Sequence, residues 1–144
     1  YEKTYAWDLA DKKIPRQARD DRNDFKKFDY IIFLDVLEHL ANPLNALKTL
    51  VKHNLKKRGF VIISLPNIAR FEIRLQLLFG KFNYTPSGIL HQDHLRHFTY
   101  ETGRHLINAA GLKIVKTIPT GLGHKIKIFP NLTAFQFIYL CEKK

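Results

Sequence analysis

Asp35, Glu38 and His39 fall within one five-residue stretch, directly after the unbroken apolar run Tyr30–Leu34. An imidazole in that place has the intrinsic pKa of a general base working near neutral pH. The Glu38-His39 pair could equally order the turn through hydrogen bonds. A second polar group lies much further along the chain. Asp93, His94, Arg96 and His97 share the stretch 81–98, which is rich in histidine and aromatic residues. A loop of that length is of a functional kind and could close over a substrate, with Arg96 holding a phosphate or carboxylate. The plainer reading is a surface loop.

The elements that would position these residues follow from periodicity and punctuation. Phe28 to Leu34 has no polar gap after Asp29, so it reads as a strand buried on both faces, as in the middle of a parallel sheet. Ligands of open parallel sheets sit beyond the carboxyl ends of strands, which is where Asp35, Glu38 and His39 stand. Asn42-Pro43 opens a helix, with Asn42 as cap and Pro43 in the first turn. Leu44, Leu47, Leu50 and Val51 give it one apolar face. Its end is expected in Leu55-Lys56-Lys57-Arg58, with Gly59 as the stop. Phe60–Leu65 is a second apolar strand, broken by Pro66-Asn67. Phe71, Leu75, Leu78 and Phe79 mark a helix ending at Gly80. Thr99 caps another helix, stopped by Gly111. Leu112–Ile118 and Leu132–Leu140 are further strands, with Gly121-Leu122-Gly123 in a loop between them. Strand alternating with helix is the rhythm of a βαβ sheet.

Composition bounds the class. The chain has 144 residues, 45% of them hydrophobic, enough for one domain with a core and too apolar for disorder. No apolar run approaches the ~20 residues of a membrane helix, and no signal-peptide pattern opens the sequence. Cys141 is the only cysteine, so a disulfide within the chain and a CxxC motif are both excluded; this fits a reducing cytoplasm. The net charge is +11, but the cations are scattered and form no basic helical stripe or zinc-finger spacing. Nucleic-acid binding is therefore not expected as the main role. No methionine is present, even at position 1, which suggests a piece of a longer protein.

Four blocks together resemble one family. Phe28-Asp29 with Val36-Leu37-Glu38-His39 is similar to the fourth-strand signature F-D-x-I-x-x-x-x-V-L-E-H of class I S-adenosylmethionine-dependent methyltransferases. The segment from Leu55 to Asn67 resembles the entry into their fifth strand. His94-Leu95-Arg96-His97-Phe98-Thr99 resembles the H-x-R-F-F-T motif of a subgroup linked to sugar and cell-envelope pathways. Ala110-Gly111-Leu112 resembles the turn before the sixth strand. The resemblance covers residues 28 to about 140. It implies an α/β Rossmann-like sheet with helices on both faces and the last strand inserted antiparallel beside the fifth.

The resemblance implies S-adenosylmethionine as cofactor and methyl transfer to an O or N nucleophile of a small or sugar-linked substrate. His39 would face the methyl group as base, with His94 as a second catalytic candidate. Leu34 and Asp35 would meet the amino-acid part of the cofactor, although Asp35 could simply cap the next turn. Asn67, Arg96 and His97 would stand on the substrate side, with helix capping as the other reading of Asn67. Asp8-Leu9 resembles the step whose acid faces the adenine, so residues 1–27 would be a remnant of strand three and a linker within a single domain, 1–144.

The chain is read as metal-free. Some members of the superfamily hold a divalent ion on an E-x-x-E-H motif plus a distant histidine, and Asp35, Glu38, His39 and His94 would be the corresponding ligands here. Asp35 is one methylene shorter than the motif requires. The glycine-rich cofactor loop that normally follows the first strand is missing, which implies an amino-terminal truncation and weak cofactor binding by this chain alone. Alternatives are a non-catalytic remnant serving as an interaction module, and a basic RNA-binding or RNA-modifying protein. A sheet edge exposed by missing strands could pair with a second copy.

Overall fold

The structure is a computed structural model that describes residues 26–122 and 129–144. The elements run β1 (Phe28–Phe33), a 3₁₀ turn (Leu37–His39), α1 (Pro43–His53), β2 (Leu55–Pro66), α2 (Phe71–Leu78), α3 (Tyr100–Ala109), β3 (Leu112–Gly121), the one-turn α4 (Pro130–Thr133) and β4 (Ala134–Lys143). The four strands form one sheet in the order β1-β2-β4-β3. β1 and β2 are parallel, whereas β4 runs antiparallel to both neighbours. The chain is thus an α/β protein with its last strand inserted antiparallel, as the sequence resemblance implied.

The helix starts follow their local chemistry. The Asn42 side chain accepts from the Asn45 backbone N–H at 3.0 Å, and Pro43 occupies the first turn. Thr99 and Thr102 form a reciprocal capping box at the start of α3. Gly80 and Gly111 take positive φ at the helix stops, as a left-handed cap requires. The core is built mainly on the two central strands. Val61, Ile63 and Leu65 of β2 and Phe137, Tyr139 and Cys141 of β4 are buried, with Leu47 and Val51 of α1 packed in.

Three expectations are corrected. First, α1 ends at His53, and Leu55–Arg58 belong to β2. Leu55 pairs with Phe28 and is buried, and Lys56 reaches Asp29 at 2.9 Å. Gly59 does not stop a helix; a Cβ there would lie 2.6 Å from Leu55 Cδ1 and 3.1 Å from the Asp29 carbonyl, so close strand approach selects it. Second, β1 is buried on one face only. Tyr30, Ile32 and Leu34 are 61%, 57% and 56% exposed, because among the described residues β1 is an edge strand with no layer over that face. Third, Leu132 lies in α4, and β4 begins at Ala134. Gly121 likewise ends β3 rather than opening a loop. Asp8, Leu9, the supposed strand-three remnant and Gly123 lie outside the described residues. No helix among the described residues is long and apolar enough to cross a membrane.

Candidate active site

The site lies beyond the carboxyl end of β1, where the chain leaves the sheet and turns back. Asp35 takes φ 52°, a left-handed conformation uncommon outside glycine, asparagine and aspartate. Ser64 of β2 holds it there. The Asp35 backbone N–H donates to Ser64 Oγ at 2.9 Å, and the Ser64 hydroxyl donates to Asp35 Oδ1 at 2.7 Å. The Asp35 side chain itself stays exposed.

The 3₁₀ turn then sends neighbouring side chains to opposite fates. Glu38 is buried, at 1% exposure, and neither carboxylate oxygen has a hydrogen-bond partner among the described residues. Burial raises its pKa from 4.5 to about 7. Its own backbone N–H, which does not reach hydrogen-bonding geometry, lowers it in part, and the Asp35 charge pushes it upward again. His39 points into the histidine cluster. Its Nδ1 lies 3.1 Å from the Asp93 carbonyl, and a carbonyl only accepts, so the proton sits on Nδ1. In the neutral ring the lone pair is then on Nε2.

The 81–98 stretch comes back to meet this turn. The Arg96 backbone N–H donates to the Glu38 carbonyl at 2.9 Å, and Arg96 Nη2 donates to the Ala41 carbonyl at 2.7 Å. These bonds, with the His39–Asp93 contact, pin the loop to the turn. His94 is thereby brought against His39, their ring centroids 4.8 Å apart in an edge-on arrangement. His94 Nδ1 meets the Ile89 carbonyl at 3.0 Å, so it too presents a basic Nε2. Burial holds the His94 pKa below its ordinary value; the Ile89 bond opposes this, and His39, His91 and His97 add to the lowering. Burial lowers His97 in the same sense. His97 packs 6.3 Å from His94 and 5.9 Å from Phe82.

Glu38, His39 and His94 each offer a ligand atom, all within 4.8 Å of one another. Asp35 is not part of that group. The donor set is one carboxylate and two imidazoles whose other ring nitrogens are held by carbonyls, an arrangement common among metal-binding histidines.

Not every residue singled out in the sequence joins this cluster. Asn67 is fully buried, and its amide donates to the carbonyls of Asn131 at 2.9 Å and Ala134 at 3.1 Å. Its Oδ1 accepts from the Ala69 N–H at 3.1 Å. No amide proton remains for a ligand, and the cap position of α2 is Arg70 instead. The Arg96 guanidinium is partly spent on Ala41 but remains exposed. Ser64 and His91 escaped the sequence reading. Ser64 is the lone hydroxyl in the apolar run Phe60–Leu65, and His91 precedes His94 and His97 at a spacing of three; those were the signals for both. The His91 ring lies 5.5 Å from His94 and 6.2 Å from His39.

A family model described as a methyltransferase domain matches residues 2–117. Among solved structures, the small RNA methyltransferase HEN1 is similar at TM-score 0.59 and 17% identity, over 83% of this chain and 14% of that one. A possible histamine N-methyltransferase from Thermotoga maritima is similar at TM-score 0.56 and 20% identity, over 88% of this chain and 61% of that one. Magnesium protoporphyrin IX methyltransferase from Synechocystis PCC 6803, solved with bound SAH, is similar at TM-score 0.54 and 18% identity, over 83% of this chain and 46% of that one. These identities speak for the fold, and the chain spans less than two thirds of each of the three. One of the three acts on small RNA, so the expectation against nucleic acid has no support from them. No curated protein matched the sequence.

Proposed function

The chain belongs to the methyltransferase-domain family, and from that premise we propose that it transfers a methyl group from S-adenosylmethionine to an oxygen or nitrogen nucleophile of a small or sugar-linked substrate. The observation that carries the reading is the pair of imidazoles, His39 and His94, each held at Nδ1 by a backbone carbonyl beyond the carboxyl end of β1, with their rings 4.8 Å apart. When bound, S-adenosylmethionine supplies a methyl carbon on a positively charged sulfur, so that the acceptor's lone pair forms the new bond as the carbon–sulfur bond breaks.

The residues divide the remaining work. Leu34 and Asp35 hold the amino-acid end of the cofactor, much of it through backbone atoms. The fit is favoured by the exposed Asp35 carboxylate, which Ser64 fixes at the strand tip. His39 Nε2 receives the acceptor's proton, with His94 beside it. His97 and the free part of the Arg96 guanidinium face the acceptor. Asn67 fixes the end of β2 against β4 and takes no part in binding. Asp8 and Leu9 are assigned the adenine end on the sequence resemblance alone.

A second reading uses the same cluster. Glu38, His39 and His94 would hold a divalent cation, favoured by the buried Glu38 carboxylate with no hydrogen-bond partner among the described residues. A cation there would neutralise the carboxylate and act on the acceptor oxygen as a Lewis acid.

The deciding experiment is transfer of label from S-[methyl-³H]adenosylmethionine to a panel of hydroxyl and amine acceptors, with and without a chelator. Transfer that survives chelation and falls in His39→Ala supports the base. Transfer that stops on chelation and returns with Mn²⁺ supports the cation. No transfer to any acceptor by a folded protein that binds S-adenosylhomocysteine would favour a non-catalytic module.

A further inference from the structure

The helix α2 is apolar on the wrong side. Its buried contact is Ile73, which packs with Ile89 and Leu90 in a small separate cluster. The opposite stripe, Phe71, Leu75, Leu78 and Phe79, follows the helical spacing of one face and is exposed throughout, Leu78 at 77% and Phe79 at 71%. Phe82 and Tyr84 extend it past the helix end and are exposed as well. Large side chains gathered this way on a surface mark a contact site.

Charge identifies the partner. From Ile73 to Gln92 the sequence contains no acidic residue, while Arg74 and Lys81 flank the apolar stripe. The acid nearest the helix start, Glu72, is neutralised by Arg70 at 2.6 Å. The whole chain carries +11. Leucine and aromatic side chains on one exposed helix face, bordered by Arg and Lys without acids, match the boundary between acyl chains and anionic headgroups. We propose that α2 and the segment Phe79–Tyr84 form a docking surface for an anionic membrane. Leu75, Leu78 and Phe79 enter the acyl boundary, and Arg74 and Lys81 stay at the level of the lipid phosphates. This surface stands independently of the chemistry at the histidine cluster, although Phe82 adjoins that cluster through His97.

The test is co-sedimentation with sucrose-loaded vesicles of phosphatidylcholine alone or mixed with phosphatidylglycerol. The expected result is binding to the mixed vesicles that falls by about ten-fold or more in Leu78→Ser/Phe79→Ser. Arg74→Gln/Lys81→Gln should lose roughly five-fold per charge. Val115→Ser, an exposed apolar site on β3, should bind as wild type. The substituted side chains project from the surface, so the melting temperature should not move. Equal binding by wild type and the serine variant would overturn the proposal, since net charge alone would then explain the attraction. So would failure to bind either vesicle. A change in sedimentation-velocity mass of the serine variant without lipid would overturn it too, because the stripe would then be covered by a second copy.

Discussion

Replacing Glu38 by glutamine should uncouple folding stability from pH across a defined window. The carboxyl is buried, its oxygens have no hydrogen-bond partner among the described residues, and its pKa rises from 4.5 to about 7. The folded state therefore holds the Glu38 proton more tightly than the unfolded chain does. Below pH 4.5 both states are protonated and the group costs nothing by ionising. As pH rises from 4.5 to about 7 the unfolded chain releases its proton first, and stability falls. At about 1.4 kcal/mol per pKa unit, the full loss is about 3 kcal/mol above pH 7. Glu38→Gln keeps the shape and cannot ionise. The buried amide carries its own desolvation cost, but that cost does not change with pH. The quantity to measure is therefore the stability gap between variant and wild type, from urea unfolding with a chelator present. The gap should grow by about 3 kcal/mol in favour of the variant between pH 4.5 and 7.5. Parallel stability curves across that window would mean that the buried carboxylate is not penalised, and the raised pKa would then be wrong.

The remaining expectations are smaller in scope. Ser64→Ala removes both of the bonds that hold Asp35 in its left-handed conformation and should cost about 1–3 kcal/mol in urea unfolding. The same variant should weaken S-adenosylhomocysteine binding, read by calorimetry. His39→Ala should lower the rate of methyl transfer by about 10²–10⁴-fold while leaving cofactor affinity unchanged, as kcat and Kd measured separately would show. Gly103→Ala should destabilise the protein despite a helix-propensity gain of about 1 kcal/mol. Its Cβ would sit 3.0 Å from both Leu65 Cδ1 and the Tyr139 hydroxyl, two fully buried side chains that would have to shift. If the edge and apolar face of β1, uncovered among the described residues, pair two copies, Ile32→Lys should shift the protein toward monomer in sedimentation equilibrium.

Much of the architecture was legible because local and global signals agreed. Asn42-Pro43 and Thr99 start helices through contacts within three residues, and the run Phe60–Leu65 can only be a buried strand or helix segment. The misreadings come where a distant partner decided the outcome. Lys56-Lys57-Arg58 before Gly59 has the chemistry of a helix end, yet pairing with β1 draws Leu55–Arg58 into the sheet. The apolar run of β1 does not tell which of its faces a neighbour covers. In the site, Asp35, Glu38 and His39 could be found because they follow a strand directly. The arrival of His94 depends on a loop contact 54 residues from His39, between His39 and Asp93; the length and histidines of the loop and the family resemblance hinted at it, but not at its partner. Asn67 looked available for a ligand, but its partners lie 64 and 67 residues away and absorb the whole amide. No short-range rule shows where such a side chain spends its hydrogen bonds.

The proposed assignment places Leu34 and Asp35 at the cofactor and His39 at the acceptor. Calorimetric titration of the protein with S-adenosylhomocysteine, beside Asp35→Ala and His39→Ala, separates the two roles. The wild type should bind, His39→Ala should keep the same affinity, and Asp35→Ala should bind clearly more weakly. Absence of binding by the folded wild type, or a loss in His39→Ala equal to that in Asp35→Ala, would contradict it.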